Sequence, residues 1–159
     1  MYFIAHRGNT TGPGNPEENR FDYLKHAYYD LGYGIELDIQ THNGKLYLGH
    51  DDPQEPVDAD IEQFMRQERV FTHAKDLHCI PKLLTIDANV FYHTEESIVF
   101  TSKGYIWCYP GIFISDIKRA VWNDYHWGPI PQGKRLTCLA VCGDDVRRYD
   151  INTGVTKGR

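Results

Sequence analysis

Extended and helical periods alternate three times in the first 85 residues, and each extended run ends on side chains that carry chemistry. Tyr2-Phe3-Ile4-Ala5 is a short apolar run that opens into His6-Arg7-Gly8 and then a loop holding Gly12, Pro13, Gly14 and Pro16. Asn19 is a good helix cap with Asp22 three residues on. Phe21, Leu24, Tyr28 and Leu31 then recur at helical spacing until Gly32 and Gly34, which predicts a first helix. Ile35 to Ile39 reads as a strand in which Glu36 and Asp38 share one face, because side chains two apart point the same way; Ile35, Leu37 and Ile39 take the other. His42-Asn43-Gly44-Lys45 is a hairpin turn, after which Leu46-Tyr47-Leu48 delivers Gly49-His50-Asp51 to a strand end. Ile61, Phe64, Met65 and Glu68 outline a second helix, and Val70-Phe71-Thr72 leads as a strand into His73-Ala74-Lys75. Leu77, Ile80 and Leu84 predict a short third helix distorted by Pro81.

Such alternation predicts a parallel sheet covered by helices, and reactive side chains at successive strand ends are what a TIM-type barrel displays. A full barrel of that type takes about 250 residues. This chain has 159, so the expected fold is α/β, a reduced or truncated TIM-like (β/α) barrel forming a single domain over 1–159. Past residue 85, Val90-Phe91-Tyr92-His93, Ile98-Val99-Phe100 and Tyr105 to Tyr109 follow one another with almost no room for helices. A helix capped by Ser115 is expected as far as Trp122, a last strand over Leu136 to Cys142, and a polar, frayed tail over 143–159.

The net charge of -5 supplies no basic stripe able to neutralise nucleic-acid phosphates, which excludes nucleic acid as a bulk partner. No apolar run approaches the roughly 20 residues that span a bilayer. Met1 to Ala5 enters an apolar segment without a basic leader, so a cytoplasmic protein with no membrane partner is expected. Cys79, Cys108, Cys138 and Cys142 match no zinc or redox spacing and read as free, buried thiols.

The residues with chemical potential are His6-Arg7-Gly8, Glu18-Asn19, Glu36-x-Asp38 and Gly49-His50-Asp51. Two carboxylates on one strand face offer hard oxygen ligands for Mg²⁺ or Ca²⁺, and repel each other unless a cation neutralises them. Arg7 supplies a fork for phosphate oxygens, Lys75 a point charge, and His6 and His50 can exchange protons near neutral pH. Glu18 either supports Arg7 or ligates, and Asn19 reads as a cap. His93 reads as a histidine of the core or one supporting the site, Trp107 and Tyr109 as core residues or, at a barrel mouth, as the lining of a substrate pocket, and the Lys134-Arg135 and Arg147-Arg148 pairs as solvated faces.

The order HRG, EN at a helix start, ELD and LGHD resembles the signature of glycerophosphodiester phosphodiesterases, most strongly over residues 3 to 52 and more weakly through Lys75. The segments Tyr105 to Gly111 and Ala140 to Asp144 also resemble pieces of short family members, the latter a closing barrel strand. The resemblance implies that His6 and His50 act as general acid and base, that Glu36 and Asp38 bind a divalent ion, and that Arg7 contacts phosphate. The family's Glu-x-Lys strand corresponds to His73-Ala74-Lys75, which gives His73 as a further metal ligand and Lys75 as a phosphate contact. An imidazole there suits Zn²⁺ or Mn²⁺ better than Ca²⁺. The implied activity is metal-dependent hydrolysis of a small phosphodiester, a phosphoric diester hydrolase of lipid metabolism. A neighbouring glycerol hydroxyl attacks in that family, giving a cyclic phosphate that water opens. Two other readings stand beside it: a phosphate-ligand binding module that has lost catalysis, and a lyase that releases the cyclic phosphate.

Overall fold

The computed structural model describes residues 1–114, 117–124 and 138–149. Its strands are β1 (Tyr2–His6), β2 (Gly34–His42), β3 (Lys45–Leu48), β4 (Glu55–Pro56), β5 (Val70–Ala74), β6 (Val90–Phe91), β7 (Ile98–Phe100), β8 (Ile106–Cys108), β9 (Ala120–Asn123) and β10 (Ala140–Gly143). The helices are α1 (Phe21–Lys25), α2 (Ala59–Met65) and α3 (Ile80–Thr85). All ten strands belong to one mixed sheet. Within it β6, β5, β2, β1, β10, β9 and β8 lie side by side in parallel, while the β3–β4 hairpin and β7 add antiparallel edges. No strand pairing joins β6 to β8 among the described residues, so the α/β fold is built on a sheet that is not closed.

The period-two alternation of the strands sorts side chains into two layers. Ile4, Phe71, Phe91, Trp107, Val121, Ala140 and Cys142, drawn from six strands, form one buried cluster. Six strands can share so small a cluster only because the sheet curls around it, and the ring stack of Phe91 on Trp107 at 4.4 Å brings β6 and β8 together. Their alternate neighbours, including Phe3, Ile35, Leu37, Ile39, Val70, Trp122 and Val141, form the second layer with Leu24, Ile61, Phe64, Met65 and Leu83 of the helices. Asp58 caps α2, its carboxylate accepting from the backbone N–H groups of Asp60 and Ile61 at 3.0 Å each. The Asn43-Gly44 turn, with φ of 49° and 72°, closes the β2–β3 hairpin as its sequence predicts.

Several local expectations change. The first helix begins after Arg20, lasts five residues and widens into a π turn over His26–Asp30; Asn19 does not cap it. Pro81 sits in the first turn of α3, where its missing N–H interrupts no helical bond, so it starts the helix rather than distorting it. Ala120 to Trp122 belong to β9, not to a helix, while Ser115 and Asp116 lie outside the described residues. Val121 packs in the inner cluster and Ala120 and Trp122 in the outer, the alternation of a strand held between β8 and β10. The last strand comprises Ala140–Gly143, residues 136 and 137 lying outside the described set. Residues 144–149 do not fray: Val146 and Tyr149 are buried, and Tyr149 stacks on Phe3 at 5.1 Å. Of the Arg147-Arg148 pair, Arg147 is exposed and Arg148 half-buried, its guanidinium meeting the buried Asp124 carboxylate at 2.8 Å; Lys134, Arg135 and 150–159 lie outside the described residues. All four cysteines are free and buried. Among the described residues no helix is long and apolar enough to cross a membrane.

Leu37 is fully buried in the outer layer. Leu37→Ala is expected to cost about 2–5 kcal/mol, since the rigid sheet around it collapses little; urea denaturation followed by circular dichroism measures this, and a cost under ~1 kcal/mol contradicts the layer assignment.

Candidate functional site

The site grows from a fork in the sheet. Along one edge of β2, Gly34 to Glu36 pair with β1 and Ile39 to His42 pair with β3, so the backbone of Asp38 faces the gap where β1 has left and β3 has just joined. A backbone N–H in such a gap requires another acceptor. Asn19 provides it: its Oδ1 accepts from the Asp38 N–H at 2.9 Å, and its Nδ2 donates to Asp38 Oδ2 at 2.9 Å. Gly49 N–H fills the other half of the gap by donating to the Asp38 carbonyl at 3.1 Å. Asn19 holds φ of 61° and Arg7 φ of 53°, left-handed conformations that surrounding bonds must hold in place. Asn19 N–H donates to the Arg7 carbonyl at 3.2 Å, and Arg7 N–H to the Glu36 carbonyl at 2.9 Å.

This fork sets Glu36 and Asp38 side by side on the inner face, 2% and 0% exposed. Around Asp38, Arg7 Nε stands 3.0 Å from Oδ2, while His73 Nδ1 and Lys75 Nζ stand 3.0 and 3.9 Å from Oδ1. Burial works against the Asp38 carboxylate, but the His73 hydrogen bond and the charges of His73, Arg7 and Lys75 outweigh it and hold its pKa below the ordinary aspartate value. Glu36 goes the other way: burial and the neighbouring Asp38 push it up, against His6, His73 and Arg7. Its Oε2 is buried and accepts no hydrogen bond among the described residues. A buried carboxylate oxygen without a donor carries a desolvation penalty that a cation removes. One ligand atom each from Glu36, Asp38 and His73 falls within 4.8 Å of the others, so this donor set fits a divalent cation.

A cavity of about 420 Å³ opens above the carboxylates. His6, Arg7, Glu18, Glu36, His50, His73 and Lys75 all line it, and Asp38 lies beneath. The structure thus brings together every site residue expected from the sequence. His6 Nε2 points toward Glu36 Oε2 at 3.8 Å while Nδ1 meets Asp144 Oδ1 at 2.7 Å. Burial lowers the His6 pKa, but Glu36 and Asp144 more than offset it and hold it above the ordinary histidine value. His50 is half-buried and bonded through Nδ1 to Asp51 at 2.7 Å; burial, reinforced by the positive charges of Arg7 and Lys75, holds its pKa below the ordinary value. Glu18 braces the loop, accepting from Asn9 Nδ2 and the Gly14 N–H at 2.8 Å each and from Arg7 at 3.4 Å.

Asn19 and Asp144 differ from their sequence assignments. Asn19 locks Asp38 instead of capping a helix. Asp144, expected in a frayed tail, orients His6 and accepts from Asn9 Nδ2 at 2.9 Å; it follows an apolar strand as His6 does, and that shared position was its signal. His93 stacks on His73 at 4.6 Å and lines the cavity. Tyr109, 49% exposed, and the buried Trp107 both line the cavity wall. Gly49 has φ of 141° and its missing Cβ would overlap the Asp52 carbonyl, so only glycine lets β3 hand His50 to the cavity.

Asn19→Ala leaves the Asp38 N–H and one carboxylate oxygen short of partners and is expected to cost about 1–3 kcal/mol in urea denaturation at pH 7. Because the Asp38 pKa is depressed on folding, its contribution is present above the ordinary carboxylate value near 4 and is lost as pH falls from there toward the lower folded value. The wild-type protein therefore loses stability across that acid range, and a flat stability profile there refutes the assigned Asp38 environment. No family model, curated protein or solved structure matches the chain, so its function rests on the geometry of this pocket.

Proposed function

We propose that the chain is a metal-assisted phosphodiesterase acting on a small, glycerophosphodiester-like substrate. The observation that carries this reading is the convergence of a cation-ready donor set, Glu36, Asp38 and His73, with Arg7, Lys75 and two histidines at one cavity. We further read the curled array of parallel strands, with Phe91 and Trp107 in contact across its ends, as a reduced TIM-like barrel whose strand ends bear the site.

When bound, a divalent ion on Glu36, Asp38 and His73 would offset phosphate charge. Arg7 and Lys75 hold the remaining phosphate oxygens and stabilise the charge that grows on them in the transition state. The two histidines have environments that drive their proton affinities apart, which assigns their roles. His50, held below the ordinary histidine value, is neutral at pH 7 and takes the proton from the attacking hydroxyl as its oxygen bonds to phosphorus. His6, held above the ordinary value and oriented through Nδ1 by Asp144, turns Nε2 to the departing alkoxide and gives it a proton as the opposite P–O bond breaks. With Glu36 engaged by a cation, Asp144 remains the carboxylate that keeps His6 oriented and protonated. Glu18 and Asn9 hold the loop that carries Arg7.

His6→Ala and His50→Ala are each expected to lower kcat on a glycerophosphodiester by about 10²–10⁴-fold with unchanged circular dichroism. Chelation is expected to abolish turnover and added divalent ion to restore it. The kcat/KM profile should be bell-shaped, its acid limb below the ordinary histidine value from His50 and its alkaline limb above it from His6. Asp144→Asn removes a negative charge that favours the His6 imidazolium, so the alkaline limb shifts to lower pH. Full activity in either histidine variant removes that residue from the mechanism. Substrate binding without turnover favours a binding module, and a cyclic phosphate as the final product in phosphorus NMR identifies a lyase.

A further inference from the structure

The metal reading of the pocket leaves open which class of cation it takes, and His73 bears on that choice. His73 lies on β5 directly opposite Asp38 in the sheet register. Its Nδ1 is 3.0 Å from Asp38 Oδ1 and 3.7 Å from Glu36 Oε1, so one nitrogen faces both carboxylates. The ring lies parallel to Phe91 at 4.8 Å with an interplanar angle of 4°, and to His93 at 4.6 Å with an angle of 7°. The side chain is 11% exposed. An independent observation concerns the same carboxylate, since Glu36 Oε2, which stands 3.8 Å from His6 Nε2, is buried and without a hydrogen-bond donor among the described residues.

Mg²⁺ and Ca²⁺ take oxygen ligands, and Mg²⁺ in particular tolerates little departure from octahedral geometry. Imidazole suits first-row transition ions, whose affinity for mixed nitrogen and oxygen sites exceeds that of the alkaline-earth ions. Resting on the metal-assisted reading above, we infer that the pocket selects a divalent transition ion of the Mn²⁺, Co²⁺ or Zn²⁺ class, with His73 Nδ1 ligating beside Glu36 and Asp38. The competing arrangement is an imidazolium at His73 that itself neutralises the acidic pair, leaving no place for an ion.

Isothermal titration of the chelator-stripped full chain with Mg²⁺, Ca²⁺, Mn²⁺ and Co²⁺ tests this, with pulsed electron paramagnetic resonance of the Mn²⁺-loaded protein reporting coordinated nitrogen. Wild-type protein is expected to bind one Mn²⁺ or Co²⁺ and to show imidazole nitrogen coupling. His73→Asp is expected to lose the coupling and at least about tenfold of the Co²⁺ over Mg²⁺ preference, as disruption of metal-site partners commonly does. His73→Gln, close in size and neutral, serves if the Asp variant does not fold, and the same losses are expected of it. Nitrogen coupling and ion preference that survive both substitutions overturn the assignment of His73 while leaving metal-assisted hydrolysis standing. Failure of wild-type protein to bind any of the four ions, with Mg²⁺ binding appearing in His73→Gln, establishes the internal imidazolium and overturns the metal site itself.

Discussion

Two carboxylates buried side by side on one strand are the constraint around which this molecule is organised. Like charges on neighbouring inward positions of β2, in a low-dielectric interior, are tenable only if something positive or proton-donating surrounds them. The protein meets that demand from every direction: Arg7 from the loop after β1, His73 and Lys75 from β5 and its end, His6 from β1, and the amide of Asn19 from the segment before α1. The support is unequal. Asp38 is enclosed and held ionised, whereas Glu36 keeps one oxygen without a donor and is pushed toward protonation. That asymmetry leaves Glu36, rather than Asp38, as the carboxylate that lines the cavity.

The fork in the sheet explains how such a cluster can be built without unravelling the strands. Where β1 leaves β2 and β3 takes over, the backbone at Asp38 would otherwise face an unpaired gap. Asn19 and Gly49 fill it, and both come from the loops that carry the site, one preceding α1 and the other delivering His50. Sheet continuity and site geometry are therefore the same hydrogen bonds. The loop holding Arg7 gains rigidity in the same way, through Glu18 and through the contact of Gly12 N–H with the Asp144 carbonyl at 2.8 Å. Left-handed backbone at Arg7 and Asn19 persists because so many neighbours determine it.

The two histidines illustrate how identical side chains acquire different character. His6 sits deep, between Glu36 and the carboxylate of Asp144, and favours the proton. His50 sits near the rim among cationic neighbours and resists it. Local sequence points the other way, since His6 lies next to the cation Arg7 and His50 next to the carboxylate Asp51. The difference comes from residues distant along the chain, Asp144 being 138 positions from His6.

Period-two alternation made the facing of Glu36 and Asp38, and of Ile35, Leu37 and Ile39, legible from the chain itself, because pleat geometry is local. The same locality exposed the Asn43-Gly44 hairpin and the strand-end placement of His6, His50, His73 and Lys75. Tertiary structure alone decided that Ala120 to Trp122 extend, because a place between β8 and β10 overrides weak local preference. It alone turned Asn19 from a helix cap into the lock on Asp38, brought Asp144 to His6, and left the sheet open where β6 meets β8. Those outcomes depend on contacts between segments far apart in sequence, whose strengths are set by burial and neighbouring charge rather than by residue order.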